Sequence, residues 1–373
     1  MKKAIVTIVA LLVVVGAVWW MSGGAATPVR PQEHPWPAKL GALRDVPKRY
    51  PRSGQSDAAS ELLDLADAAQ LDLVPLMGEP PAPVAETSPL RVEAREYIRL
   101  QLSREGEAID DVPKTLADYL TKYNAPLDAV RDRLLRGDPV QWPVTLEGAV
   151  MTPNLLAIIQ LQRALVARSL LKARGGDARA WDELHASWQL AGSLWNRPEP
   201  ASVLVGLASA RMINAAARKL PLPVPPWFRE VLDFDPALSL AAAQQAEVWS
   251  RSEISDDADA FERIRFATRS FRRARAAEAQ RQFLERALDS RACDFASLGL
   301  KSDENREAWR RLLRYRAERE ATERVLQLRA GQKPSPQSQC SDGSWNVTAN
   351  GFAFTRDIPV QAPGIAVPLR YSR

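Results

Sequence analysis

Histidine and cysteine are nearly missing: two of each occur in 373 residues. Zinc clusters and disulfide-dense scaffolds both need more. Glycine is modest at 18, and no glycine-rich phosphate cradle is spelled, neither GxxxxGK[ST] nor GxGxxG after a strand. GxSxG and HExxH are missing as well, so neither a cofactor nor a metal is expected. What the chain has in quantity is proline, at 28, and tryptophan, at 11. Its hydrophobic content of 46% and charged content of 25% exclude wholesale disorder.

Lys2 and Lys3 precede an uncharged run from Ala4 to Met21. At 1.5 Å per residue it makes about 27 Å of helix, just enough to cross a bilayer core. Trp19 and Trp20 at its far end fit the interfacial belt where indoles settle. This predicts a single-pass inner-membrane anchor over residues 1–21, with a cytoplasmic amino terminus and a periplasmic body. Gly24-Ala25-Ala26 offers the small residues of a signal cleavage site, so a secreted or periplasmic product is the alternative. No Cys follows the run, which excludes a lipoprotein.

Six prolines between 22 and 56 predict a semi-rigid stalk. Residues 57–335 read as a helical body. Leu62, Leu65, Ala66 and Ala69 form an apolar stripe at helical spacing. Asp111 with Pro113, and Asn124 with Pro126, mark two further helix starts. Thr152-Pro153 opens a helix to Arg174 that Gly175-Gly176-Asp177 stops; others span 177–195 and 201–220. On the first, Leu156, Ile159, Gln160, Arg163, Val166 and Leu170 keep a mostly apolar face. Helices of this length with tight connections predict antiparallel hairpins, stacked as a solenoid or closed as a bundle. Asp235-Pro236 starts another helix; Asp256, Asp257 and Asp259 cap a longer one, and a last helix runs from about 303 to 330.

Residues 336–373 change period to two. Trp345 and Val347 alternate with polar residues, and Asn350-Gly351 is a preferred type I′ pair. A two-residue turn there pairs Ala349 with Phe352 and Val347 with Phe354. Residues 366–371 offer a third strand. Such a small antiparallel sheet must dock on the helices, so Val347→Asp is expected to detach it. The fold class is therefore mainly α with a small C-terminal β hairpin or meander.

In an exported chain Cys293 and Cys340 are expected to pair and tie that tail to the body. The net charge is +5, and nine Arg lie between 263 and 291. Among them Arg265, Arg269, Arg272 and Arg273 offer a face for an anionic envelope partner. Interleaved Glu favours instead a solvated face laced with i, i+4 pairs, and the last helix reads the same way. Export argues against nucleic acid.

Catalytic spellings are thin. Ser169-Leu170-Leu171-Lys172 matches SxxK, but no KTG or SDN follows. His185, between Trp181 and Trp188, reads as a core or boundary residue. His34 reads as solvated. Glu147 lacks the neighbours of a lone carboxylate acid. No catalytic residue is expected.

The order of parts carries one resemblance: short anchor, Pro stalk, helical hairpins, a long helix ending in Gly331-Gln332-Lys333-Pro334, then an aromatic β tail. It resembles uncharacterised single-anchor envelope proteins of high-GC Gram-negative bacteria, and its last helix and tail resemble a degenerate pseudopilin end. It departs from pseudopilins in having its anchor far from that helix and no Glu five residues into a processed terminus. The resemblance implies no active residues. The expected role is binding or scaffolding another envelope component without catalysis; an envelope hydrolase of peptidoglycan or glycan, and a structural spacer, are the alternatives. A groove lined by Arg points to binding, and converging carboxylates or His to hydrolysis.

Overall fold

The computed structural model describes residues 35–74, 89–146, 153–252, 260–298, 306–359 and 365–372. Within these, helices begin and end where the backbone needs help. Short α1 (Val46–Arg49) opens with Pro in its first turn, where no N–H is required. The Ser56 hydroxyl accepts from the Ala59 N–H and starts α2 (Asp57–Ala68). Then come α3 (Glu93–Leu102), α4 (Lys114–Lys122) and α5 (Asn124–Leu135). Asn154 accepts from the Ala157 N–H and starts α6 (Leu155–Arg174). They are followed by α7 (Ala180–Gly192), α8 (Pro200–Ala217), α9 (Phe228–Asp233), α10 (Ala237–Ser252), α11 (Ala260–Asp289) and α12 (Arg306–Arg329). Gly331, at φ +77°, takes the left-handed conformation that closes α12.

Helices α6 and α7 form the expected hairpin. Ser169 meets Ala180, and Gln162 meets Ser187, so residue numbers climb on one helix as they fall on the other. Further on, α8 packs against α6, α7, α10 and α12. A solenoid repeat touches only its neighbours; α8 and α12 are far apart in sequence, so this is the bundle alternative. Helix α8 is also the one described helix long and apolar enough to cross a membrane, but 72% of that stretch is buried inside the body. It is the hub of the core.

The proline count misled at 35–56. From residue 35 on, the segment assigned to the stalk belongs to the body. Leu40, Leu43 and Val46 are fully buried in the main core, and Gln245 of α10 donates to the Gly41 carbonyl at 3.1 Å. The prolines here sit beside turns and in a helix start, which suits a packed irregular segment as well as an extended one. Asp111 does not cap either: Pro113 occupies the N-cap of α4 and makes no side-chain cap bond, while Asp111 accepts from Arg174. The expected anchor with Lys2, Lys3, Trp19 and Trp20 lies outside the described residues, as do His34, Glu147 and Asp256, Asp257 and Asp259.

The tail is a three-stranded antiparallel sheet in the order β1 (Trp345–Val347), β2 (Gly351–Phe354), β3 (Arg370–Ser372). Its register differs from the expected one by two residues: Trp345 pairs with Phe354 and Val347 with Phe352. A slip of two keeps every side chain on its face, so the aromatic face survives. The cause is Gly351. A Cβ there would lie 2.2 Å from the Tyr371 carbonyl oxygen, so its missing side chain admits β3 rather than forming a tight turn. The loop is closed instead by the Thr348 N–H donating to the Gly351 carbonyl at 2.8 Å.

The aromatic face, with Trp345, Phe352 and Tyr371, sits on Ala317, Ala321, Val325 and Leu328 of α12. Small residues one turn apart make the seat. Val347 is only half-buried. A carboxylate there still reaches water, so the expected detachment by Val347→Asp does not follow. The Cys293–Cys340 disulfide joins the loop after α11 to the loop before β1, as expected.

Candidate binding cleft

The last helix carries i, i+4 pairs as its alternating charges suggest, at Arg311–Glu307, Arg314–Glu318 and Arg324–Glu320, but it is not a solvated rod. Arg314, Glu318, Arg319, Glu320 and Arg324 are all buried. Glu320 accepts from the Trp345 indole at 2.7 Å, the Ser338 hydroxyl at 2.7 Å and the Gln339 N–H at 2.8 Å, while Arg324 lies 4.7 Å over the Trp345 ring. Loops and tail supply partners that no pattern within the helix foretells.

One turn earlier lies a cluster with an excess of positive charge. Arg211 of α8 grips Glu318 with two bonds of 2.6 and 2.7 Å, and Arg314 donates to the same carboxylate at 3.1 Å. Arg218 reaches the Glu318 carbonyl at 2.7 Å. Two guanidiniums thus share one carboxylate, and a third lies within reach of its charge. Burial pushes Arg218 down to about 10 and also lowers Arg314; burial opposes the charge of Arg211 too, but Glu318 overrides it and holds that group up. Spare N–H groups donate to tail carbonyls: Arg211 to Ile365 (2.9 Å), Arg218 to Pro368 (2.7 Å), Arg314 to Val367 (2.8 Å) and Ile358. The returning tail is strapped to the helices by these bonds.

Arg211 and Ile365 also form one wall of a cleft of about 450 Å³ between α3, α6, α8 and α12. Ile98, Ile159, Leu204, Leu207 and Met212 give it an apolar lining. Arg95, Arg99, Arg163 and Arg311 join Arg211 in lining it, against Glu96 alone. Arg99 is paired with Glu96 at 2.5 Å and Arg311 with Glu307 at 2.7 Å. Arg163 is different. Burial, and then repulsion from Arg95, push it down to about 10, and among the described residues its N–H groups reach only the Leu90 and Arg91 carbonyls at 3.4 Å. Among the described residues neither Arg163 nor Arg95 has a carboxylate within ion-pair distance. A half-buried cation beside an exposed one is poorly compensated, and an anion between them would relieve both.

The apolar face expected on α6 therefore divides. Val166 and Leu170 enter the core; Ile159 and Arg163 line the cleft, and Leu156 is 68% exposed. The Arg within that stripe was the available signal. Arg95, Arg211 and Arg311 carried none, since their meeting depends on how four helices assemble.

The residues weighed for chemistry are occupied elsewhere. The Ser169 hydroxyl donates to the Ala180 carbonyl at 2.8 Å. Lys172 sits 2.5 Å from Glu183, a fully buried carboxylate that also holds Arg131 and Arg168. His185 stacks on Trp227 with ring centres 4.3 Å apart, and burial lowers its pKa below the usual value. Cys293, Cys340 and Asp342 lie together, but the sulfurs are bonded to each other and Asp342 accepts from the Cys293 and Asp294 N–H groups. The backbone of Arg265, Arg269, Arg272 and Arg273 belongs to α11; their side chains lie outside the described residues. The nearby Arg281 does pair with Glu278 and Glu285, one turn either way.

A second buried cation gives a pH test. Lys219 donates to the Gly106 and Ala108 carbonyls at 2.9 and 3.1 Å. Burial, reinforced by Arg104 and Arg218 and opposed by Asp110 and Glu107, pushes its ammonium down to about 8. The unfolded chain keeps this proton until about pH 10.4. Between those values it binds more protons than the folded chain, so stability rises with pH. Tyr50 and Tyr97, raised to about 12 by burial, reverse the trend above pH 10. Urea midpoints should therefore rise from pH 7.5 to 9.5 by more in the parent than in Lys219→Met; equal changes would place the ammonium in water.

Neither protein-family models, nor curated proteins, nor solved structures match this chain.

Proposed function

We propose that this chain is an exported, membrane-tethered binding protein of the bacterial envelope, and that its cleft takes an anionic envelope component without chemical change. One observation carries the binding reading: five Arg against one Glu line an apolar-walled cleft, and Arg163 is half-buried there with no carboxylate in ion-pair range among the described residues. Charge of one sign around an apolar floor attracts and orients an anion. Export is supported by the anchor-like opening sequence and by the Cys293–Cys340 bond, which suits an oxidising compartment.

The test places a photo-crosslinker at Ala208, an exposed position lining the cleft, in the membrane-bound protein. A specific envelope adduct is expected, and Arg163→Gln should abolish it. An adduct indifferent to Arg163, or glycan cleavage by the purified protein, would overturn the reading.

A further inference from the structure

We propose that the cleft's ligand is an amphiphile with one acyl chain and an anionic head, its chain lying on Ile159, Leu204, Leu207 and Ile365 and its carboxylate or phosphate held between Arg163 and Arg95. This rests on the binding reading above and names the class of anion.

The two halves of the cleft select together. A soluble polyanion would satisfy the guanidiniums and leave the apolar walls wet. A neutral lipid would cover the walls and leave Arg163 desolvated beside Arg95. An anion with a hydrocarbon tail answers both. The rim narrows the choice of anchoring group, because Arg99 and Arg311 already hold Glu96 and Glu307. Among the described residues the cationic centre open to a newcomer is Arg163 with Arg95, and the fork of a guanidinium matches carboxylate and phosphate oxygens in pairs.

Size points the same way. About 450 Å³ lies within the range of small-molecule sites, about 300–1,000 Å³. It accommodates one acyl chain rather than the two of a bilayer phospholipid. Each buried methylene adds about 0.8 kcal/mol, so chain length should govern affinity. Leu156 stands one turn before Ile159 on the same helix and is 68% exposed, extending the apolar path beyond the mouth.

The probe is laurate labelled with 13C at its carboxylate, titrated into the full chain held in phosphatidylcholine nanodiscs, with empty discs as baseline. A saturable bound resonance is expected. Arg163→Gln should weaken binding at least tenfold, and Ala208→Trp, which fills the cleft from an exposed position, should remove the resonance. Monolaurin should not compete. Displacement by lysophosphatidylglycerol, in preference to a longer fatty acid, would mark a lipid headgroup as the natural source; the reverse would mark a free acid. Binding indifferent to both variants, or equal competition by monolaurin, would overturn the proposal. If hexaglutamate binds in an Arg163-dependent way and laurate does not, the amphiphile falls and the binding reading stands. If no anion binds, both fall.

Discussion

Glu318→Ala should destabilise the protein by about 3–5 kcal/mol, the usual cost of removing one partner from a buried ion pair. The loss should exceed that of a simple cavity, because the carboxylate is 1% exposed and is the shared partner of Arg211 and Arg314. Arg218 is already pushed down to about 10 with Glu318 nearby. Without that charge, the guanidiniums repel one another in a place where water is scarce. The tail should loosen with them, since the same side chains hold the Pro368, Val367 and Ile365 carbonyls. Urea denaturation measures the first effect, and limited proteolysis after residue 340 measures the second. Glu318→Gln keeps the shape and removes the charge, and should fall between parent and Ala. A change below about 1 kcal/mol would mean that solvent reaches the cluster, and the strapping account would fail.

Breaking the Cys293–Cys340 bond should cost nearly as much. The bond closes a loop over a separation of 47 residues, worth about 4 kcal/mol in the chain-entropy picture. Part of the native geometry should persist without it. Asp342 still accepts from the Cys293 and Asp294 N–H groups at 3.0 and 2.9 Å, and Ser341 still donates to the Arg291 carbonyl at 3.1 Å. The double Cys→Ser variant should therefore fold, keep its near-ultraviolet signature, and unfold at markedly lower urea. An unchanged midpoint would show that the bond restrains the unfolded chain little.

How much of this was legible beforehand follows the range of the interactions. Helix ends at Arg174 and at Gly331 are set by local breakers and caps, and they could be read within a turn. The aromatic face of the tail was readable because alternation survives a slip of two residues, whereas the register was not, because it depends on how closely β3 approaches Gly351. Proline between 35 and 56 was ambiguous by nature: the same fixed φ serves a stalk or a packed turn, and only contact with α10 decides.

By itself the sequence determined the mainly helical class, the α6–α7 hairpin, the pairing of its two cysteines and the face of the tail, since each depends on near-neighbour periodicity or on a count. The tertiary structure alone decided that five charges of α12 are buried, that one glutamate holds two arginines and supports a third, and that a guanidinium with no carboxylate beside it among the described residues faces an apolar cleft. Burial and charge balance are properties of what surrounds a side chain. Those surroundings come from segments about a hundred residues away, as with Arg211 and Glu318, and no local pattern encodes them.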